Sequence, residues 1–288
     1  MSLKNMAMFS VLMAGSIFNG SAGDILTYKV GRCEVSLLVE RAAAGNIGIL
    51  IDAADELKKK YMPSGTYTSQ VNAFLIKTPD RAIVVDTGFG SALFDNIRSL
   101  GVDPAKVEAV LLTHMHGDHI GGLQKDGKAA FAGATVYLAG QEKDYWLPPN
   151  AKYRNDGAAA ALAAYGPRVQ VFNPGEVTAR LQELFPGIIP LAAFGHTPGH
   201  TAFLVRSEGQ SLLIWGDLVH VMDIQIPVPD ISVTYDVDPA AARVTRKKIF
   251  DWAAKNKIPV TGMHLASPGI GLLEALPAGG YTFTPVKN

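Results

Sequence analysis

The sequence predicts an α/β fold in which sheets pack on each other with helices outside. Three observations carry this. Short apolar, β-branched runs alternate with helical segments along most of the chain. Several strand-like runs come in consecutive pairs, such as 71–76 with 82–85 and 202–205 with 212–215, which suits packed sheets better than one parallel sheet. The chain of 288 residues, 48% hydrophobic and 18% charged, is long and apolar enough to bury a large core without cross-links.

The same composition excludes a disordered chain. Lys plus Arg and Asp plus Glu number 26 each, so the formal charge is zero and the footprint of a nucleic-acid binder is missing. Cys33 is the only cysteine, which excludes an internal disulfide and a Cys-rich zinc site. No apolar run reaches the ~18 residues of a membrane span.

In chain order, Lys4 precedes the mostly apolar stretch 6–18, and Gly20, Ser21, Ala22 and Gly23 follow. This is the order of a secretory signal, so residues 1–22 are expected to be a signal peptide and 23–288 a single domain, periplasmic or secreted. The alternative is a frayed extension on a cytoplasmic protein. Val35, Leu37 and Val39 alternate with Ser36, Leu38 and Glu40, an early strand. Asp52 is the expected cap of a short helix through Tyr61, broken by Met62-Pro63-Ser64-Gly65. Residues 71–76 and 82–85 are strands joined by a turn at Thr78-Pro79-Asp80. Ser91 is the expected cap of a helix that shows Leu93, Phe94, Ile97 and Leu100 on one face and stops at Gly101. Residues 110–112 form a short buried strand that runs into His114. Strands are expected at 135–138, 169–171, 188–191, 202–205 and 212–215, and helices at 141–146 and 157–164. Asp238 and Pro239 open a last helix with Ala242, Ile249, Trp252 and Ala253 on its apolar face.

The seven histidines are clustered. His114, His116 and His119 fall within six residues together with Asp118. Residues two apart in an extended turn point to the same side, so His114 and His116 can converge on one ion. Asp118 and His119 follow where the chain bends and can face a second ion. Asp217 ends an apolar strand beside Gly216, free to bridge two cations. Imidazole with carboxylate is a donor set for borderline divalent metals. His196 and His200 lie in Gly195-His196-Thr197-Pro198-Gly199-His200-Thr201, where His200 reads as a packing or supporting residue rather than a ligand. His264 stands alone and carries little by itself.

The pattern His114-x-His116-x-Asp118-His119, with His196, Asp217 and His264, resembles the metallo-β-lactamase superfamily from about Val71 to His264. The resemblance implies an αβ/βα sandwich, two mixed sheets face to face with helices outside, and a dinuclear metal site at one edge. It implies that His114, His116 and His196 hold one ion, that Asp118, His119 and His264 hold the other, and that Asp217 bridges them. Asp86, in Val84-Val85-Asp86-Thr87-Gly88, matches a family acidic residue that hydrogen-bonds a ligand histidine, a turn residue being the alternative. Zinc is the expected ion, with manganese and ferrous iron as alternatives that accept the same donors.

Departures narrow the resemblance. Position 217 is aspartate where the lactamases proper often use cysteine. Too few residues follow His264 for the helical domain of glyoxalase-II-type thioesterases. The inserted domain and basic surface of the nucleases are not visible, and His116 argues against flavodiiron proteins. Residues 141–146 and 195–201, Gly216-Asp217-Leu218, His264-Leu265-x-x-Pro268-Gly269-Ile270-Gly271 and Gly280-Tyr281-x-Phe283-x-Pro285-Val286 resemble methyl parathion hydrolase and its lactonase-like relatives, a group commonly exported. Homoserine-lactone lactonases typically carry a tyrosine three residues after the bridging aspartate, where this chain has His220. His220 either donates to a developing oxyanion or lines the pocket. The resemblance places Trp146 at the pocket wall, core packing being the alternative. Clustered arginines that would demand an anionic substrate are not seen.

The expected function is therefore a hydrolase that opens lactones or cleaves activated esters by attack of a hydroxide bridging two divalent ions. Asp118 would orient the nucleophile and shuttle its proton. Organophosphate triester hydrolysis is the alternative, followed by β-lactam hydrolysis and by non-catalytic metal binding. The expected partner is a small neutral or apolar ester or lactone, with no nucleic acid and no membrane span, the chain being a monomer or a homodimer.

Overall fold

A long antiparallel meander opens the fold in the computed structural model, which describes residues 20–179 and 181–286. The expected signal segment lies outside the described residues apart from positions 20–22. The first sheet runs, in spatial order, β1 (Ile25–Val30), β2 (Cys33–Asn46), β3 (Thr66–Lys77), β4 (Ala82–Val85), β5 (Ala109–Leu111), β6 (Thr135–Ala139) and β7 (Val169–Phe172). Pairing is antiparallel from β1 to β4 and parallel from β4 to β7. Parallel neighbours need crossovers. Helix α2 (Leu93–Ser99) supplies the one between β4 and β5, and α3 (Gly140–Trp146) with α4 (Asp156–Ala163) the one between β6 and β7. Helix α1 (Asp55–Tyr61) lies between β2 and β3 in the chain. The second sheet runs β8 (Ile188–Ala192), β9 (Thr201–Ser207), β10 (Gln210–Ile214), β11 (Val260–Thr261), β12 (Ile270–Ala275) and β13 (Tyr281–Pro285). Among the described strands its one parallel pair, β10 with β11, is joined across α5 (Pro239–Lys255).

Side-chain alternation explains the layers. Val35, Leu37 and Val39 of β2 turn to the same side as Phe74, Ile76 and Val85, and meet Phe203, Val205, Leu212 and Ile214 of the second sheet. Leu38, Ala73, Leu75 and Val84 face the other way, against Leu93 and Ile97 of α2 and Leu162 of α4. The outer face of the second sheet, Leu204, Leu213 and Val260, packs on Ile249, Phe250 and Ala253 of α5. Each such fully buried Val, Leu, Ile or Phe side chain stabilises the fold by about 1.5–3 kcal/mol. Helix, sheet, sheet and helix are thus stacked as two mixed sheets face to face with helices outside, the predicted architecture.

Local details differ from the sequence expectations for identifiable reasons. β2 and β3 extend well beyond 35–40 and 71–76, because Arg41–Asn46 pairs with Thr66–Val71 as a largely exposed arm without apolar alternation. Helix α1 begins after Ala54; Asp52 has a positive φ of 61° and pairs instead with Arg243. Ser91 does not cap α2. Ala92 is the N-cap, and Glu40 of β2 holds the segment ahead of the helix, its carboxylate accepting from the backbone N–H of Ser91 and Ala92 while Ser91 Oγ donates to the Glu40 carbonyl. Asp238 caps α5 by accepting from Ala241 N at 2.9 Å. The buried face of α5 contains Arg246 and Phe250, with Trp252 only partly buried.

Candidate metal centre

The site forms where strands of both sheets end at one edge of the sandwich. Asp86 immediately follows β4 in a left-handed conformation, φ 54°. Its carboxylate accepts from Thr113 N at 2.8 Å, from Thr113 Oγ1 at 2.6 Å and from His119 Nδ1 at 2.6 Å. These bonds fix the segment leaving β5. His116 is the N-cap of a single helical turn, Gly117–Ile120, which folds the chain back so that His119 faces the same point as His114. His196 arrives from the loop after β8, Asp217 from the loop after β10 and His264 from the loop after β11. Asn72 of β3 anchors that last loop, donating to the carbonyls of Gly262 and Leu265 at 3.0 Å each.

His114 Nε2, His116 Nδ1 and His196 Nε2 stand 2.9–3.2 Å apart. Asp217 Oδ2 is ringed by Nε2 of His264 (3.0 Å), His119 (3.2 Å), His220 (3.2 Å), His196 (3.4 Å) and His114 (3.6 Å). Asp118 Oδ2 lies 3.5 Å from His264 Nε2, and its Oδ1 lies 3.7 Å from His119 Nε2. Candidate ligand atoms fall within 4.8 Å of one another in three groups: His114, His116, His196 and Asp217; Asp118, His119 and His264; and Asp217, His220 and His264. All seven residues singled out by the sequence motif are brought together, and His220 joins them.

Hydrogen bonds on the far side of the rings set the tautomers. Nδ1 of His114 faces Thr113 Oγ1 (3.1 Å), that of His119 faces Asp86, that of His196 faces Asp236 Oδ1 (2.9 Å) and that of His264 faces the Gln70 carbonyl (2.7 Å). With Nδ1 engaged on the far side, each ring turns its Nε2 to the centre, the atom that would bind a metal once it gives up any proton it carries. His119 Nε2 and Asp217 Oδ1 are buried with no hydrogen-bond partner. The three ring nitrogens at 2.9–3.2 Å have about the spacing of atoms sharing an ion at roughly 2.0–2.1 Å. The donor set therefore fits divalent metal.

The electrostatics agree. Burial pushes the Asp217 carboxyl up, but His119, His264, His114 and His220 together hold it well below the usual range. Burial and the neighbouring His119 charge push His114 far down, and burial with His196 takes His116 to about 3. Burial also disfavours charge on His196, yet Asp217 and Asp236 lift it to about 9.

Residues 66–251 match the family model described as the Metallo-beta-lactamase superfamily. The chain belongs to the metallo-beta-lactamase superfamily. Among curated proteins of that breadth, it is 28% identical over 185 residues to ribonuclease TTHA0252 of Thermus thermophilus, covering 58% of this chain and 39% of the relative. It is 28% identical over 141 residues to N-acyl homoserine lactonase AttM of Agrobacterium fabrum, covering 45% of this chain and 48% of the relative. The chain thus spans less than half of either relative. Among solved structures, hydrolase AbOPH of the beta lactamase superfamily aligns with a TM-score of 0.78 at 28% identity, covering 92% of this chain and 98% of that one. The fold is also shared with AidC, a dizinc quorum-quenching lactonase, at a TM-score of 0.81 and 24% identity, covering 93% and 99%.

Around this superfamily centre lie residues that the sequence motif did not single out. Glu142, in α3, is buried and uses both oxygens. Oε1 accepts from Met115 N (2.9 Å) and Trp146 Nε1, and Oε2 accepts from Thr197 Oγ1 (2.7 Å) and Gly199 N (3.0 Å). It clamps the loop of His114 and His116 to the loop of His196. A Cβ on Gly199 would come within 2.3 Å of Glu142 N, so the loops close only over glycine. Asp236 accepts from His196 and from Val233 N, with buried Arg246 3.8 Å away. Nothing in the local spacing of either acid marks it; only long-range packing does. His200 donates from Nδ1 to the Ala193 carbonyl (2.8 Å) and accepts from Asp217 N on Nε2 (2.9 Å), which places it behind the centre.

Beside the centre is a cavity of about 380 Å³ whose walls include Arg41, Tyr67, Phe89, His220 and Tyr235 and whose floor includes Asp118, Asp217 and His264. Trp146 is not among its lining residues. It packs toward the helix-side core and meets His116 edge-on at 5.5 Å, so it backs a candidate ligand instead of forming the expected wall.

Proposed function

We propose that this superfamily member is a two-metal hydrolase that opens lactones or cleaves activated esters. The observation that carries the reading is the ring of five imidazole nitrogens at 3.0–3.6 Å around one buried carboxylate oxygen of Asp217. His114, His116 and His196 would hold one ion, Asp118, His119 and His264 the other, and Asp217 would stand between them. The chemistry that divalent ions would supply there is a lowered pKa for water and a polarised acyl oxygen; zinc, the metal in AidC, is the first candidate.

The chain's own residues do the rest. Asp118 is partly exposed at the cavity floor, placed to orient an attacking water and take its proton. His220 differs from the other rings. Its Nδ1 is buried without a partner, so the neutral tautomer keeps its hydrogen on Nε2 and donates toward the centre. Burial holds its pKa down at about 4, against the pull of Asp217, so the ring is neutral at pH 7. It serves as the donor to the oxygen that gains charge in the transition state, not as a ligand. Tyr67, Phe89 and Tyr235 form the aromatic walls for the body of the substrate. The lactonase names of AttM and AidC support the choice of reaction.

The test is a panel of dihydrocoumarin, phenyl acetate, an N-acyl homoserine lactone, methyl paraoxon and nitrocefin, run on protein of known metal content. Lactones and aryl esters should be the preferred substrates. Paraoxon or nitrocefin as the preferred substrate, or no turnover of any lactone or ester, would overturn the reading. Residues 1–22 are proposed as an export signal, and a mature protein from a bacterial host that still begins at Met1 would contradict that.

A further inference from the structure

The cavity carries a cation that the two-metal chemistry does not use. Arg41 lines the wall beside Phe89, with its guanidinium 5.9 Å from the ring centroid. Its position comes from a bulge: the register of β2 against β3 shifts between Val39 and Arg41, leaving Glu40 as the extra residue. A bulge of this kind turns two successive side chains toward one region and re-aims them. Glu40 goes inward to hold Ser91 and Ala92, and Arg41 goes to Phe89, from the same loop. No carboxylate among the described residues forms an ion pair with Arg41; the same holds for Arg168 and Arg206, which do not line this cavity, whereas Arg32, Arg81, Arg98, Arg154, Arg243 and Arg246 each have one within 4.0 Å. The other charged side chains lining the cavity, Asp118 and Asp217, belong to the centre at its floor.

We infer that Arg41 and Phe89 form an anion subsite, and that the natural substrate is a lactone or ester carrying a carboxylate at the end remote from the scissile bond. The inference rests on the hydrolase reading and departs from the neutral substrate expected from the sequence. The scissile carbonyl meets the metal centre, the apolar body lies between Tyr67, Phe89 and Tyr235, and the far carboxylate meets the guanidinium fork. Arginine suits this role because its planar donors match a carboxylate and its face rests on an aromatic ring.

The test uses matched pairs on the metal-loaded enzyme: 4-acetoxybenzoate against 4-acetoxybenzamide, and mono-4-nitrophenyl adipate against its terminal amide. The acid of at least one pair should be favoured in kcat/KM by about two- to five-fold, as expected for one ion pair at an exposed arginine. R41Q should erase that ratio, R41E should invert it and R41K should restore part of it. The ratio should also shrink between 0.05 and 0.5 M salt, because the site is open to ions. Equal ratios in the wild type and R41E would overturn the inference. Calorimetric binding of adipate against its monoamide, wild type against R41E, reads the same selectivity without turnover. Loss of all ester hydrolysis would therefore sink the hydrolase reading, while this binding difference still decides the subsite.

Discussion

Replacing Glu142 gives the sharpest test of how the centre is assembled. Its carboxylate takes four donors, two of them the buried backbone N–H groups of Met115 and Gly199. Alanine leaves those two N–H groups unsatisfied at about 1–3 kcal/mol each, a gross cost of about 2–6 kcal/mol. Part is returned, since burial opposes the charge and holds the Glu142 pKa above its usual value. A net loss of about 2–4 kcal/mol is expected for E142A, read from urea unfolding at pH 7. E142Q should lose less, about 1–3 kcal/mol, because one amide oxygen still accepts while its NH2 opposes the remaining donors. Zinc affinity measured by calorimetry should fall in both, as the His114–His116 and His196 loops lose their shared anchor. E142A with stability changed by less than about 0.5 kcal/mol and zinc affinity unaltered would refute the clamp.

Three further outcomes follow. D217N should stay folded by circular dichroism but retain fewer ions and lose hydrolysis; full activity in that variant would contradict the position given to Asp217. In the metal-free protein His196 sits at about 9, above its ordinary 6.5, so the stability that it contributes is complete below pH 6.5 and disappears as pH rises through 9. The urea midpoint of metal-free protein should therefore receive a falling contribution over that window, absent in H196Q, and zinc uptake at pH 7 should release a proton measurable in buffers of different ionisation heat; no release would contradict the assignment. H220F should reduce kcat by about 10²-fold with little change in KM, and H220Q should recover part, since an amide still donates; equal kcat in H220F and wild type would remove the donor role.

The sequence showed most of the candidate centre because half of its candidate ligands are local. His114 to His119 sit on one turn, and glycine beside Asp217 and His196 marks loops at strand ends. The two-sheet architecture was equally visible, since β-strands buried on both faces leave unbroken apolar runs such as 83–85 and 212–215. What escaped was set by long-range packing. Glu142 and Asp236 look like ordinary helix and loop acids until the fold presses them against Met115, Gly199 and His196. Ser91 was drawn to Glu40, which a bulge on a distant strand delivers, and Ala92 became the N-cap of α2. Trp146 was drawn behind His116 by Glu142, and the polar arm of β2 and β3 lacked the alternation that would have announced it.

The central claim is that these side chains cage metal and use it. Elemental analysis of protein purified without chelators, followed through dialysis against chelator and readdition of zinc, measures it directly. About two divalent ions per chain are expected, with lactone hydrolysis falling and returning in step with them. Protein free of bound metal that hydrolyses lactones equally well before and after chelation would contradict it.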